Sequence, residues 1–175
     1  MSNVWFRMMA FEFKIRDFVK PRQDIIKEVQ LEKGFQVLDF GCGPGGYILA
    51  VSEAIGASGK LYALDTMPIA LEMARKIVDK KKLENVKTVQ SDCDTGLVDE
   101  ELDVVLLYDV FHDLADQNAV LSELNRVLKP NGVLSFSDHH LNENEIVSAV
   151  TSSGLFRLLR KNQRTYTFSK TKKEN

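Results

Sequence analysis

Short β-rich runs alternate with amphipathic segments along this chain, and that alternation constrains the fold more than any other feature. The β-rich runs are FQVLDF (35–40), KLYALD (60–65), VKTVQ (86–90), LDVVLLYD (102–109) and GVLSFSD (132–138). Several are almost continuously apolar, as expected of strands covered on both faces. Between them, residues 45–55 place Ile48, Val51 and Ile55 on one helical face, and residues 68–82 do the same with Ile69, Met73, Ile77 and Val78. Pro68 suits a first helical turn. Residues 116–128 carry Val120, Leu121, Leu124, Val127 and Leu128, and the pattern predicts a stop before Pro130 and a turn at Asn131-Gly132. A last helix is expected over about 142–153, with Ile146, Val147 and Val150 inward and Gly154 ending it. Repeated strand–helix alternation predicts a parallel sheet with helices on both faces. Two further β-rich runs, LFRLLR (155–160) and RTYTFSK (164–170), are joined only by KNQ, so they should form an antiparallel hairpin.

The length of 175 residues suits one domain with a full core, read here as a single unit over 1–175. Within it, 1–21 would be an arm or lid, 22–170 the core and 171–175 a frayed tail. A net charge of −2 gives no electrostatic footprint for nucleic acid. No apolar run approaches the ~20 residues of a membrane span. Arg7, Glu12, Lys14 and Arg16 interrupt any signal-peptide core at the N-terminus. Cys42 and Cys93 form no CxxC pair, which suits a reduced, cytoplasmic protein.

The stretch VLDFGCGPGG (37–46) follows the first β-rich run and contains Gly41-x-Gly43-x-x-Gly46. Glycines let the backbone turn tightly and let a ligand approach without a Cβ in the way. A plain tight turn would not need three glycines and a proline. A dinucleotide would set its pyrophosphate on the following helix N-terminus. Asp39 points elsewhere, since a carboxylate at the end of the first strand suits an amine or a sulfonium better than a pyrophosphate.

VLDFGCGPGGY (37–47) closely resembles motif I of the class I S-adenosylmethionine-dependent methyltransferases. LYALDTMP (61–68), VQSDCDTG (89–96), LDVVLLYDVFHDL (102–114) and LKPNGVLSFSD (128–138) resemble the family's later motifs in order, over roughly residues 30–170. In tone the chain is most similar to the small ubiquinone/menaquinone-methyltransferase-like subgroup (methyltransferase type 11). The resemblance implies a Rossmann-like α/β fold whose seven strands run 3-2-1-4-5-7-6, with strand seven antiparallel. It implies S-adenosylmethionine as cofactor, S-adenosylhomocysteine as product, and methyl transfer to a small-molecule acceptor.

Asp65 lies 19 positions after Gly46, where a carboxylate can accept both ribose hydroxyl protons; its other reading is a cap for the Pro68 helix. By resemblance, Thr66 and Met67 would lie along the adenine edge. Asp92 would accept from the adenine amino group, and the Cys93 N–H would meet a ring nitrogen. The alternative for Asp92 is a turn-forming role in SDCDTG. Gly41, Gly45 and Tyr108 complete the implied cofactor set with Asp39 and Gly43. The sequence YDVF departs from the Asp/Asn-Pro-Pro-aromatic pattern of nucleobase N-methylating members. His112 resembles a histidine common in the subgroup and is read as structural or solvent-facing. Asp138-His139-His140 has three readings: a polar loop, a general base at His139 or His140, or a metal site shared with Asp109. No metal is assigned, since adjacent histidines on an extended chain point apart.

Residues 3–21 are rich in aromatics and methionine, read as a packed arm or as a lid in which Trp5, Phe6, Met8, Met9, Phe11 and Phe13 line an apolar pocket. A membrane-surface anchor would need a stronger basic face. Two rival functions stand: a non-catalytic cofactor-binding module serving a partner, and an NAD-binding oxidoreductase. Asp39 and the closing hairpin disfavour the latter. An arsenite-methylating chemistry would need more cysteines than two. The oligomeric state stays open, a homodimer included.

Overall fold

The structure, a computed structural model, describes residues 22–171. The expected arm over 1–21 lies outside the described residues, as does most of the expected tail. A short helix α1 (Arg22–Lys27) leads into β1 (Gln36–Phe40), α2 (Ile48–Ile55), β2 (Lys60–Asp65), α3 (Pro68–Lys81), β3 (Val86–Gln90) and β4 (Leu102–Tyr108). A 3₁₀ turn (Phe111–Asp113) follows, then α4 (Gln117–Val127), β5 (Leu128–Ser137), α5 (Glu143–Thr151), β6 (Phe156–Lys161) and β7 (Tyr166–Lys170).

The seven strands form one sheet in the order β3-β2-β1-β4-β5-β7-β6, as the resemblance implied. The pairings from β3 through β5 are parallel, and β7 runs antiparallel to both β5 and β6. Strand alternation sends Leu38, Phe40, Leu64, Leu107, Leu134 and Phe136 to one face, where α4 and α5 cover them. Val37, Leu61, Ala63, Val104, Leu106 and Tyr108 face the other way, under α1, α2 and α3. The near-continuous apolar runs are thus explained by two buried faces.

Helix ends follow local chemistry. Asp116 caps α4 by accepting from the Ala119 N–H at 2.9 Å, and Asn142 and Glu145 form a reciprocal capping box at α5.

Two expectations need correction. The connection from β3 to β4 (91–101) carries no helix, so the strand–helix alternation has a gap there. Pro130 and Asn131-Gly132 do not form a turn ahead of β5 but lie inside it, as a bulge. Leu128 pairs with Leu102 and Val133 with Val104, so four residues on β5 oppose Asp103 alone. Gly132 is required at this approach, because a Cβ there would sit 2.9 Å from the Leu102 carbonyl oxygen.

Candidate functional site

The strand C-termini converge at one end of the sheet, and the expected cofactor residues lie there. The loop after β1 is tied down from β2: the Gly41 and Cys42 N–H groups both donate to the Leu64 carbonyl, each at 2.8 Å. Gly41 has φ +77, and a Cβ on it would meet Val110 at 2.7–3.0 Å. Gly43 has φ +53, yet a Cβ there would meet nothing within 4 Å. At Gly41 the glycine is required by a protein neighbour. Among the described residues the space beside the Gly43 backbone is open, which lets a ligand approach closely there. Gly45 donates to the Cys42 carbonyl at 3.1 Å and closes the turn.

Asp65 reaches across to this loop. Its Oδ2 accepts from the Gly43 N–H at 2.8 Å and its Oδ1 from the Met67 N–H at 2.9 Å. The cap position of α3 is Met67, without a side-chain cap, so Asp65 is not the helix cap in position. Each carboxylate oxygen offers two lone pairs, so both retain accepting capacity. Thr66 is exposed and Met67 half-buried beside it.

Asp92 stands exposed after β3, with no hydrogen bond or ion pair among the described residues. The turn in SDCDTG is made instead by Asp94, whose Oδ1 accepts from the Gly96 N–H at 2.9 Å. Cys93 packs on the core beneath, and burial pushes its thiol up. Burial also raises the Cys42 thiol, with the Asp39 and Asp65 carboxylates adding to the effect. Neither thiol is activated.

Asp39 is 2 % exposed, on the sheet face shared with Tyr108. Tyr108 packs edge-on against Tyr47 at 5.2 Å between ring centroids, and its hydroxyl shares a 2.7 Å hydrogen bond with Ser135. Burial holds the Tyr108 phenol protonated, its pKa well above the usual value.

At the ends of β4 and β5 the register places Tyr108 beside Ser137, and the next residues turn out of the sheet together. Asp109 adopts φ +53, a conformation aspartate tolerates better than most residues, and its N–H donates to the Ser137 carbonyl at 2.7 Å. Two histidine–carboxylate pairs then cross between the strand ends. His112, following β4, pairs through Nδ1 with Asp138 Oδ2 at 2.8 Å. His139, following β5, pairs through Nδ1 with Asp109 Oδ1 at 2.8 Å. Asp138 is fully buried at its side chain and also accepts from the His112 N–H (3.2 Å) and the His140 N–H (3.0 Å). Burial pushes the Asp138 carboxyl up, but these hydrogen bonds outweigh it and hold the group below the usual carboxylate range. The His140 ring lies 4.0 Å, centroid to centroid, from the rings of both His112 and His139.

The expectation that adjacent histidines point apart does not hold, because residues 139–140 form a turn rather than extended chain. His112, read as structural or solvent-facing, is drawn into the cluster by Asp138. The only sequence signal for this was an acid at each of two strand ends, each with a histidine within three positions. Asp109, Asp138 and His139 each bring a possible ligand atom within 4.8 Å of the others. All three side chains are already engaged by the hydrogen bonds described above.

Among the described residues, Asp65 and Asp138 accept only from backbone N–H groups and imidazole, with no lysine or arginine beside them. Such carboxylates suit a ligand with hydroxyl donors and positive charge, and they suit a pyrophosphate poorly. The residues present therefore fit S-adenosylmethionine, whose sulfonium and amino groups are cationic. No described helix is long and apolar enough to cross a membrane.

A methyltransferase-domain family model matches residues 31–174. A demethylmenaquinone methyltransferase from Geobacillus sp. (strain WCH70) is 32 % identical over 118 residues, covering 67 % of this chain and 50 % of that protein. A demethylmenaquinone methyltransferase from Staphylococcus carnosus is 34 % identical over 113 residues, 64 % of this chain and 46 % of that protein. The chain thus spans about half the length of the curated relatives it matches. Among solved structures, a SAM-dependent methyltransferase from Aquifex aeolicus superposes with a TM-score of 0.75 at 27 % identity, covering 89 % of this chain and 94 % of that one.

Proposed function

The chain belongs to the class I S-adenosylmethionine-dependent methyltransferases, and from that premise we propose that it methylates a small-molecule acceptor seated over the ends of β4 and β5. The contact of Asp65 with the Gly43 N–H is the observation that carries the reading, because it joins the ribose-type acid to the open side of the glycine loop. In this proposal Asp65 takes the ribose hydroxyls. Thr66, Met67, Asp92 and the Cys93 N–H take the adenine. Gly41, Gly45 and Tyr108 offer backbone groups to the amino-acid moiety, with Asp39 supplying negative charge behind them. The bound cofactor supplies an activated methyl group with a built-in neutral leaving group, so alignment and exclusion of water are the protein's main contribution.

The relatives named for demethylmenaquinone make a quinone-class compound the first acceptor to screen, with and without magnesium. A net charge of −2 gives no reason to propose a nucleic-acid substrate. Two free cysteines suit a reducing compartment, which supports a cytoplasmic reading.

Thermal denaturation tests the central claim. S-Adenosylhomocysteine at a hundredfold excess over its Kd should stabilise the protein by about 2.7 kcal/mol, while NAD at equal concentration leaves the melting temperature unchanged. A shift with NAD and none with S-adenosylhomocysteine would overturn it.

A further inference from the structure

We propose that the outer edge of the sheet, strand β6, rests on an anionic lipid surface. The inference goes beyond the methyl-transfer reading and does not depend on it, because lipid binding is read without cofactor or acceptor.

The last two strands are charged unlike the rest of the chain. Residues 155–171 hold Arg157, Arg160, Lys161, Arg164 and Lys170 and no acid, in a protein of net charge −2. β6 is an edge strand, paired only with β7. After the buried Phe156, every residue of β6 is exposed. Leu158 is 38 % and Leu159 54 % exposed, and the only other large apolar side chain so exposed among the described residues is Val98, in the segment before β4. Two leucines thus stand in water with an arginine on either side of them in sequence.

Leu158 pairs with Phe168 and Arg160 with Thr167, which are consecutive in β7, so Leu159 is an extra residue in a bulge. Leu158 shares the sheet face of Phe168, toward α5, while Leu159 and Arg160 line a groove on the α1 side. The rim therefore carries an apolar side chain on each side of a basic edge. Arg157 has no hydrogen bond or ion pair among the described residues. Arg160 makes only a 3.5 Å contact with the Glu28 carbonyl. The neighbouring acids are already engaged: Glu28 accepts from the Arg164 and Thr165 N–H groups, and Glu143 pairs with Lys161.

Charge complementarity and the bulge select the occupant. A partner strand is disfavoured, because a bulge and a crowd of cations are the two devices that block strand addition at an edge. A second copy paired about the two leucines would set Arg157 against Arg160, like charge against like. Nucleic acid would use the arginines but leave the leucines in water, and β6 offers no exposed aromatic ring for a base to stack on. An anionic bilayer surface uses both features: leucines reach the acyl boundary and guanidinium groups bind phosphate. The outward N–H and C=O groups of the edge hold the strand at headgroup level, since hydrocarbon would leave them unsatisfied. With strands spaced about 4.8 Å apart, β5 lies two strands in, roughly 10 Å from the rim. The ends of β4 and β5 then stand beside the lipid surface without entering it.

The test is co-sedimentation of the full chain at low salt with vesicles of phosphatidylcholine, alone or mixed in equal parts with phosphatidylglycerol. The wild-type chain should bind the mixed vesicles, stay off the neutral ones, and be released as salt is raised, a readout that needs no variant to fold. Arg157→Gln with Arg160→Gln should lower the partition coefficient on the order of thirtyfold. Leu158→Ser with Leu159→Ser should lower it roughly tenfold. Arg157→Lys with Arg160→Lys, which keeps the charge, should retain binding. Lys80→Gln with Lys81→Gln removes as much charge from the last turn of α3, where no exposed leucine stands, and should leave binding nearly unchanged. Overturning results are no binding to the mixed vesicles, equal binding to both kinds, an equal loss from the α3 substitutions, or a dimer in sedimentation equilibrium that Leu158→Ser dissolves.

Discussion

The two ends of the sheet use their charges in opposite ways. At the N-terminal end of the strands Asp103 accepts from the Gln36 N–H at 2.8 Å and from Lys129 Nζ at 2.6 Å, joining β1, β4 and β5. Nearby, Lys33 donates to the Glu53 carbonyl and Lys170 to the Leu128 carbonyl. Charge there is matched with opposite charge or with carbonyl dipoles, and the ends of neighbouring elements are tied together. At the C-terminal end Asp65 and Asp138 are held by N–H groups and imidazole, which orient a carboxylate without neutralising it as a lysine would. One end ties neighbouring elements together; at the other, among the described residues, carboxylates and imidazoles stand without a lysine or arginine beside them.

Substitutions at the two ends should separate binding from stability. The largest effect is expected for Asp65→Ala. S-Adenosylhomocysteine affinity measured by calorimetry should fall at least tenfold, about 1.4 kcal/mol; unchanged affinity would make Asp65 a tie of the loop and nothing more. Asp103→Ala should do the reverse. Losing one backbone partner and one half-exposed ion pair should cost about 1 kcal/mol, roughly 2–4 °C in melting temperature. Affinity should not move, and an Asp103→Ala protein that binds ligand poorly would break the distinction.

A different readout, stability against pH, belongs to the segment 91–101 between β3 and β4, where it meets Glu123 of α4. There Glu123 accepts from the Thr95 N–H and hydroxyl and from Arg126, and these bonds, the Arg126 one foremost, lower its pKa from 4.5 to about 2. A depressed folded-state pKa gives stability that is complete above the unfolded value of 4.5 and lost as pH falls toward about 2. Urea unfolding followed by circular dichroism should show that decline, and Glu123→Gln should flatten it. Asp138, also depressed, adds to the loss with the same sign.

Most of the sheet was legible because its signals are local. β2 and β3 match the β-rich runs KLYALD and VKTVQ residue for residue, since an apolar strand bounded by turns needs no distant information. The glycine loop and Asp65 were legible for the same reason: one strand, one turn and one strand end carry them. The crossed histidine pairs were not. His112 and Asp138 are 26 residues apart, and nothing in either neighbourhood records that β4 and β5 end at the same level. That fact belongs to the register, which depends on a bulge that reads in sequence as a turn. Pro130 and Asn131-Gly132 carry real turn chemistry, but strand pairing with β4 overrides it.

That bulge acts as a length buffer for the reactive end. Side chains alternate strictly along a strand, so a one-residue slip of β5 against β4 would swap its faces, burying Ser135 and Asp138 on the wrong side. The slack in Lys129–Gly132 lies upstream of the pairs Val104–Val133 through Tyr108–Ser137. Insertions or deletions there can be taken up before the paired stretch begins. Chains of this architecture can therefore vary in length at the floor of the sheet while Asp109 and Asp138 remain side by side at its top.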